Sequence, residues 1–394
     1  MQWSDLTGKR VVVWGAGREG TAAAAECERR GIHTEIITTD GSGRDLSRLL
    51  SANVVIKSPG IAKTSEEYLQ LVAHGVEVTG LTALWIADNA QRVIGVTGTK
   101  GKSTTASLIQ HVLVALGVRA SLVGNVGTAV TEENPHDAEV AVVEVSSYQA
   151  SDVTVSPRIA VLTSLYAEHL PWHGGYDKYI EDKLNLFAHG VQDAIIPEDL
   201  IARVLPYLDD TVRIHTPYPL QVGDVELLGD HNLRNASLAL AAIEAAGYLN
   251  DENEFTALEA LHTFTGLPHR LEAVPTTDGR LWVDDSLATA PEAVVQALRA
   301  YAGRSIAVII GGEDRGLDFT PLVDYISAHR EVTVIPTGPA GERVTGLRQT
   351  FTQALAAAKM SKAEVILLSP GAPSFDEFGN YEQRSGAFIA AAKR

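Results

Sequence analysis

The sequence predicts an α/β protein with three domains and mainly parallel sheets. Short apolar runs rich in β-branched residues alternate with helical patterns through most of the 394 residues. Such runs suit parallel strands that helices cover on both faces. Two polar breaks, at 88–92 and 266–270, divide the chain into predicted domains of residues 1–91, 92–267 and 268–394.

The predicted strands form three series in chain order. The first series is 10–14, 34–38 and 53–57, and the second is 93–97, 139–145 and 158–165. The third series is 280–284, 305–311, 331–336 and 364–369. Each series is long enough for a separate sheet, which agrees with the three predicted domains.

Composition excludes several classes of function. The formal net charge is −17, so general binding to nucleic acid or to an anionic membrane is not expected. Cys27 is the one cysteine, which excludes an intrachain disulfide and an all-cysteine metal cluster. The N-terminus lacks a signal-peptide pattern, and no apolar run reaches the ~18 residues of a membrane span. We therefore expect a cytoplasmic protein.

The first strand is followed by a glycine-rich turn, GAGREG, at 15–20. This turn fits the GxGxxG pattern, and Asp40 lies at the spacing of a dinucleotide fingerprint. By itself the pattern would support an NAD-dependent dehydrogenase. The pattern itself indicates only that the N-terminus of the following helix can hold a diphosphate, and any nucleotide diphosphate would satisfy it. A tight turn without a ligand is the alternative.

The strongest local signal is GTKGKST at 98–104, between a predicted strand and an amphipathic helix. This is the context that a phosphate loop requires. Lys102 would place its charge on the β- and γ-phosphates, and Ser103 or Thr104 would offer a hydroxyl to Mg²⁺. The loop is a shortened variant, since Val96 stands where the full pattern has glycine. A glycine-rich turn with a surface lysine is the alternative.

Three further residues are candidates for the same site. Glu144 ends a predicted buried strand, where a carboxylate can hold Mg²⁺ directly or through water. His169 follows the next predicted strand and could bind a metal or a phosphate, although a lone histidine is usually structural. Lys183, judged by its position in a helical pattern alone, would be a surface residue.

Taken together, the motifs resemble those of the Mur ligase family, the ATP-dependent amide-forming enzymes of peptidoglycan synthesis. Within the family the best match is to enzymes that add glutamate to UDP-N-acetylmuramoyl-L-alanine. The resemblance covers nearly the whole chain, through SPGI (58–61), GTKGKST (98–104), GNVG (124–127), EVSSYQ (144–149), EHL (168–170), DKL (182–184), GDHNLRN (229–235), GLPHRLE (266–272), DDSLAT (284–289) and LSPGAPSFD (368–376).

The resemblance implies a Rossmann-like N-terminal domain that binds the UDP-sugar, a central phosphate-loop ATPase domain and a Rossmann-like C-terminal domain that binds the amino acid. It implies catalytic roles for Lys102, Glu144, His169 and Lys183, with Mg²⁺ at two sites held by Ser103, Glu144, His169 and Lys183. Lys183 is carbamylated in the family. ATP-binding positions are Gly98, Thr99, Lys100, Gly101, Lys102, Ser103, Thr104, Asn232, Asn235, Arg270 and Asp285. UDP-sugar positions are Gly17, Arg18, Ser58 and Asn125, and glutamate positions are Thr289, Arg315, Ser374 and Tyr381.

The departures from the D-glutamate-adding pattern concern the glutamate site. Leu287, Arg315 and Gly379 stand where those enzymes carry lysine. Several segments resemble instead a subfamily that adds L-glutamate, after which a separate epimerase inverts it. These segments are WGAGREG (14–20), GTKGKST (98–104), SSYQASDV (146–153), EHLPWHGG (168–175), GGEDRGLD (311–318) and SPGAPSF (369–375). We hypothesise that arginine in place of lysine at Arg315 contributes to this choice, because a guanidinium can pair bidentately with a carboxylate.

The implied activity is that of an ATP-dependent acid–amino-acid ligase that releases ADP and phosphate, expected to be a monomer. The nearest alternative is the same ligase with D-glutamate as substrate. A folylpolyglutamate synthase fits the N-terminal glycine turn less well. From other classes, an NAD-dependent dehydrogenase would have no use for GTKGKST, and a nucleotide-binding regulator would bind ATP without releasing phosphate.

Overall fold

The computed structural model describes residues 1–38, 43–125, 129–131, 138–221, 230–264 and 266–394. The chain folds into two compact units, Met1–Phe264 and Thr265–Arg394. The first unit holds two sheets and the second holds one. No helix in these ranges combines the length and the apolar composition needed to cross a membrane.

The N-terminal sheet has four parallel strands in the order β2-β1-β3-β4. The strands are β1 (Val11–Trp14), β2 (Ile36–Ile37), β3 (Val54–Lys57) and β4 (Glu77–Thr79). The helices are α1 (Arg18–Arg29), α2 (Gly43–Leu50), α3 (Glu66–Ala73) and α4 (Leu81–Asn89). Because the chain leaves β1 first to one side and then to the other, the turn after β1 lies at a topological switch point, where α/β sheets bind ligands.

The central sheet has six parallel strands in the order β10-β9-β8-β5-β7-β6. The strands are β5 (Val93–Thr97), β6 (Ala120–Gly124), β7 (Val140–Glu144), β8 (Ile159–Leu162), β9 (Asp193–Ile195) and β10 (Arg213–His215). The helices are α5 (Lys102–Ala115), α6 (Ser147–Ala150), α7 (Leu170–His173), α8 (Tyr176–Leu184), α9 (Ile201–Val204), α10 (Asp230–Ala245) and α11 (Glu254–Thr263). The strand β5 lies between β7 and β8, so its carboxyl end is the switch point of this sheet.

The C-terminal unit has a five-stranded sheet in the order β11-β12-β15-β13-β14. The strands are β11 (Glu272–Val274), β12 (Leu281–Asp284), β13 (Ile306–Gly311), β14 (Val332–Thr337) and β15 (Val365–Leu368). The helices are α12 (Pro291–Ala300), α13 (Thr320–Ala328), α14 (Gly338–Thr345), α15 (Phe351–Met360) and α16 (Tyr381–Ala392). Among the described strand pairs, the pair β11–β12 alone is antiparallel.

The predicted α/β class with mainly parallel sheets is confirmed, and each predicted strand has a counterpart. The sequence patterns did not predict β4, β6, β9, β10 and β11, and the predicted strand 34–38 is reduced to two residues. Most of these strands lie towards a sheet edge, where one side needs no strand partner and apolar patterning is weaker. In β2, for example, Ile36 is exposed.

One continuous apolar core joins the two sheets of the first unit. Helix α4 is buried on all sides over residues 81–87, and it packs in a cluster that contains side chains from β1, β3, β5 and β7. A helix that is apolar all round needs partners on every side. This burial explains why residues 1–91 and 92–264 form one compact unit, and the boundaries 91/92 and 267/268 stay predictions.

Candidate active site

The phosphate loop connects the end of β5 to the start of α5. Gly98 and Gly101 have φ values of +146° and +88°, which side chains other than glycine rarely adopt. A Cβ at Gly98 would also collide with the hydroxyl of Thr163. The N-terminal N–H groups of α5 have no acceptors within the helix, so this turn can bind an anion. The ammonium of Lys102 lies back over the loop and donates to the carbonyl of Thr99 at 3.1 Å.

Side chains from neighbouring segments brace this loop. The hydroxyl of Ser164 accepts from the backbone N–H of Lys100 at 2.8 Å, and Tyr179 Oη lies 2.6 Å from Thr99 Oγ1. On the other side, Asn235 Oδ1 would lie 2.5 Å from a Cβ at Gly101. Asn235 also donates to Asn232 Oδ1 at 3.2 Å. The structure therefore brings the predicted positions Asn232 and Asn235 to the phosphate loop.

Lys183 is buried, and its placement overturns the surface position that its sequence pattern alone indicated. The residue is only 2% exposed, and Nζ donates to the carbonyl of Gly98 at 2.9 Å. Burial lowers the pKa of Lys183 well below its usual value, and the positive charge of Lys102 lowers it further. The amine of Lys183 thus lies beside the phosphate loop, and burial favours its neutral form.

Glu144 supplies a buried carboxylate at the carboxyl end of β7. Asn125 donates to Oε1 at 2.9 Å, whereas Oε2 is buried and has no hydrogen-bond partner among the described residues. A buried carboxylate oxygen without a partner is costly, and a cation or a bound water would relieve this cost. This orphaned oxygen fits the predicted Mg²⁺ ligand. The side chain of Asn125, a predicted UDP-sugar position, thus hydrogen-bonds to Glu144.

His169 and Glu168 form the more open side of the site. His169 is about half exposed, and its ring contacts the ring of Tyr148 with centroids 5.1 Å apart. Partial burial lowers the pKa of His169, which favours the neutral imidazole that binds metals. Glu168 pairs with the ammonium of Lys100 at 2.7 Å. The charges of Lys100 and Lys102 both act on His169, so these groups share one environment.

The glycine turn after β1 makes a second candidate pocket in the first unit. Gly17 is the N-cap of α1 and Arg18 is its first residue, both exposed. Ser58, which follows β3, lies so close that its hydroxyl would be 2.5 Å from a Cβ at Gly15. Ser58 Oγ is buried and has no partner among the described residues, so it can bond a ligand. Asp40, Gly127 and Gly229 lie outside the described residues.

The C-terminal unit brings Asp285 and Arg270 into electrostatic contact. The carboxyl of Asp285 accepts from Ser369 Oγ at 2.7 Å and from the backbone N–H of Leu271 at 3.3 Å. Burial raises the pKa of Asp285 to about 7, although the Ser369 bond and the charge of Arg270 oppose this shift. Asp285 therefore exchanges a proton near neutral pH.

Of the predicted glutamate-binding residues, Thr289, Arg315 and Ser374 lie in three different loops of this unit, and Tyr381 lies in a helix. Arg315 is exposed, pairs with Glu313 at 2.9 Å and lies over the ring of Phe375 at 5.7 Å. Ser374 is buried one residue before Phe375, whereas Thr289 is exposed. Tyr381 begins α16 and packs edge-on against His269 at 5.6 Å. A substrate carboxylate would compete with Glu313 for Arg315.

Asp285→Asn is expected to flatten the pH dependence of stability of the C-terminal unit. The folded carboxyl keeps its proton up to about pH 7, whereas its ordinary pKa is 3.8. The native state therefore binds the extra proton between these values, and the free energy of unfolding falls as pH rises through this window. Asparagine carries no titrating group, so the thermal midpoint from calorimetry should lose this slope.

Asp318→Asn is the matched control for this measurement. Asp318 is in the same unit and fully solvated, and hydrogen bonds from Thr320 lower its pKa. Its carboxyl is ionised throughout the window, so this variant should keep the slope of the wild type. A slope that survives unchanged in Asp285→Asn would contradict the assigned pKa.

Several residues that support the site were not predicted from the sequence. Tyr179, one helical turn before Lys183 on α8, bonds the phosphate loop. His173 is buried and bonds both Asp182 Oδ2 at 2.8 Å and Ser147 Oγ at 3.0 Å, which fixes α8 against α6. Arg384 is buried and donates to the carbonyls of Gly311, which ends β13, and of Ser286 and Ala372, which lie in the segments after β12 and β15. The i, i+4 spacing to Lys183 could have indicated Tyr179, whereas His173 and Arg384 depend on distant partners.

A phosphate loop at the switch point of a parallel sheet, with a buried carboxylate and a buried lysine beside it, defines an α/β enzyme of the nucleoside-triphosphate-binding class. Residues 96–205 match the model of the Mur ligase middle domain. A Micromonospora protein named UDP-N-acetylmuramoyl-L-alanine–L-glutamate ligase is 38% identical, over all of this chain and 98% of the relative. The protein of the same name from Xanthomonas axonopodis pv. citri is 34% identical, over all of this chain and 97% of the length of that relative. The chain therefore belongs to the Mur ligase family.

Solved structures of the family share the fold at low sequence identity. MurF ligase from Thermotoga maritima in complex with ADP has a TM-score of 0.60 at 18% identity, covering 97% of this chain and 94% of that one. The UDP-N-acetylmuramate–alanine ligase MurC from the same organism has a TM-score of 0.59 at 17% identity, covering 97% and 98%. These similarities confirm the predicted fold class.

Proposed function

We propose that this chain adds L-glutamate to UDP-N-acetylmuramoyl-L-alanine, with release of ADP and phosphate. As a member of the Mur ligase family, it is an ATP-dependent ligase. The observation that carries the proposal is the phosphate loop with the Lys183 amine on the carbonyl of Gly98. The full-length relatives named for L-glutamate support the choice of amino acid.

The reaction has two balanced steps. The alanine carboxylate oxygen attacks the γ-phosphorus of ATP and the bond from that phosphorus to the β-phosphate oxygen breaks. ADP leaves, and the alanine carboxylate has become an acyl phosphate. The glutamate amine then attacks the acyl carbon, phosphate leaves, and the amine loses a proton. A carboxylate is a poor acyl donor without this activation. Lys102 and the N-terminus of α5 offset the charge of the phosphates during the first step.

Glu144, His169 and Lys183 are the residues proposed to hold two Mg²⁺ ions, with Ser103 at the start of α5. Bound Mg²⁺ would neutralise phosphate charge and orient the transferring group. Glu144 Oε2 is buried and finds no partner within the described part of the chain, which supports a cation at the end of β7. The depressed pKa of Lys183 supports carbamylation, since the neutral amine attacks CO₂ and then loses a proton. The product is an anionic oxygen donor, which suits a hard divalent cation.

Each substrate is assigned to its own group of residues. Gly17 and Arg18 of the glycine turn, with Ser58 beside this turn, are proposed for the UDP-sugar, and Asn125, proposed for the same substrate, hydrogen-bonds to Glu144. Thr289, Arg315, Ser374 and Tyr381 are proposed for glutamate, with Arg315 pairing with one of its carboxylates. ATP is assigned to residues 98–104 with Asn232 and Asn235. The ATP roles of Arg270 and Asp285 stay predictions.

The decisive test is phosphate release from ATP with UDP-N-acetylmuramoyl-L-alanine, with L-glutamate and D-glutamate supplied separately. We expect turnover with L-glutamate and at least about ten-fold less with D-glutamate, because a site that pairs a carboxylate rejects the misplaced epimer. Omitting the nucleotide sugar is the control and should abolish release.

The other outcomes each contradict a different part of the proposal. Turnover with D-glutamate alone would make this a D-glutamate ligase whose site has diverged at Leu287, Arg315 and Gly379. Equal release without the nucleotide sugar would make it an ATPase rather than this ligase.

A further inference from the structure

Three buried polar side chains meet between the two sheets of the first unit. Glu19 lies on α1, Thr82 on α4 and Gln149 on α6, and we call them the Glu19 cluster. Gln149 Nε2 donates to Glu19 Oε1 and to Thr82 Oγ1, the latter at 3.1 Å. Thr82 Oγ1 donates to Glu19 Oε2 at 3.3 Å. The cluster thus links segments that are 63 and 130 residues apart in sequence.

The orientation of the Gln149 amide follows from its neighbours. Its Oε1 accepts from the backbone N–H of Ser146 and from Ser146 Oγ, both at 2.8 Å. The reversed amide would place its NH₂ group against that N–H and its oxygen against the carboxylate of Glu19. One orientation therefore satisfies the donors and acceptors, and it fixes the position of Ser146 relative to Glu19.

The cluster joins the two candidate sites of the first unit. Glu19 is two residues after Gly17 in the glycine turn, and Ser146 is two residues after Glu144 at the end of β7. Burying a carboxylate and an amide is costly, and apolar residues of similar size would join the sheets at least as well. Burial also raises the pKa of Glu19. A role in alignment explains why polar groups occupy this position.

We propose that Glu19, Thr82 and Gln149 are positioning residues that hold the glycine turn in register with the strand end that carries Glu144. The inference rests on the proposed function, in which the turn binds the nucleotide sugar and Glu144 serves the ATP site. The acceptor carboxylate must then reach the γ-phosphate across this boundary. A displacement of about 1 Å between reacting groups can cost about 10²-fold in rate.

The test compares Glu19→Ala, Gln149→Ala and the double variant in steady-state phosphate release with L-glutamate. We expect each single variant to lower kcat by about 10-fold or more, with the KM for ATP within about 3-fold of the wild type. The double variant should lose no more than the worse single variant, because both break the same link. Glu19→Gln can still accept from Gln149, so it should recover most of the kcat.

Glu26→Ala is the matched control. Glu26 is a buried carboxylate near the other end of α1, and it accepts hydrogen bonds from Arg29 and Arg30 of the same helical end. Its removal should lower the thermal midpoint about as much as Glu19→Ala does, but it should leave kcat unchanged. This comparison separates alignment from a general loss of stability.

Hydrogen exchange gives a readout that does not depend on turnover. Glu19→Ala should speed amide exchange in residues 144–150, and Glu26→Ala should not. Multiplicative losses in the double variant, an unchanged kcat in Glu19→Ala, or equal losses in Glu26→Ala would each overturn the proposal. A wild type without turnover would overturn the proposed function instead, and the exchange comparison would then decide on the cluster alone.

Discussion

Lys102→Ala is expected to abolish ATP-dependent amide formation, with turnover reduced about 10³-fold or more. Lys102 is the first residue of α5, and its ammonium lies over the phosphate loop on the carbonyl of Thr99. A lysine ammonium at this position can place a compact charge on the β- and γ-phosphates while the γ-phosphoryl group transfers. Phosphate release with saturating substrates measures the loss.

Lys100→Ala is the comparison for this variant. Lys100 lies in the same loop, but its ammonium is exposed and pairs with Glu168. Exposed pairs contribute about 0–1 kcal/mol, so we expect a loss at least about 10-fold smaller than for Lys102→Ala. Full activity of Lys102→Ala would contradict the assignment of residues 98–104 as the phosphate loop.

Lys183→Ala is expected to reduce turnover about 10²-fold or more, the second large effect. The side chain is enclosed beside Gly98, so its removal takes away the proposed metal ligand and leaves a space in the site. Acetate or formate should restore part of the activity by placing a carboxylate in that space. The wild type should lose activity in buffer depleted of CO₂, and ¹³CO₂ should give a carbamate signal in its NMR spectrum.

Lys178→Ala controls for the loss of a lysine from the same helix. Lys178 is about half exposed on α8 and pairs with Glu181 at 2.8 Å. This variant should keep wild-type turnover and show no response to acetate. Unchanged activity of Lys183→Ala, or equal losses in both variants, would contradict the proposed role of Lys183 as a metal ligand.

The strands at the centres of the sheets could be predicted because burial on both faces requires apolar residues, which the local sequence shows. Residues 93–97, 140–144 and 306–311 are mostly apolar runs in the sequence, and the structure buries every residue in them. The edge strand β10 has two exposed residues and one half-buried residue, so its sequence carries no comparable pattern. The pairing partner, rather than the side chains, makes such a segment a strand.

The candidate site likewise has one part that the sequence could predict and one part that it could not. The phosphate loop could be located from sequence because its glycines adopt backbone angles that a local motif records. Lys183 looked like a surface residue, since nothing within its own helix indicates what covers it. The covering groups come from the loop at Gly98, which lies 85 residues earlier in the chain.

The sequence by itself determined the class of fold, the phosphate loop and the family, because these depend on apolar periodicity, on glycine and on short motifs. The tertiary structure alone decided which polar groups are buried together. It placed Lys183 in a site that lowers its pKa, left Glu144 Oε2 without a partner among the described residues and joined Glu19 to Gln149. The physical reason is that desolvation and hydrogen-bond satisfaction depend on atoms from distant segments, which no local pattern contains.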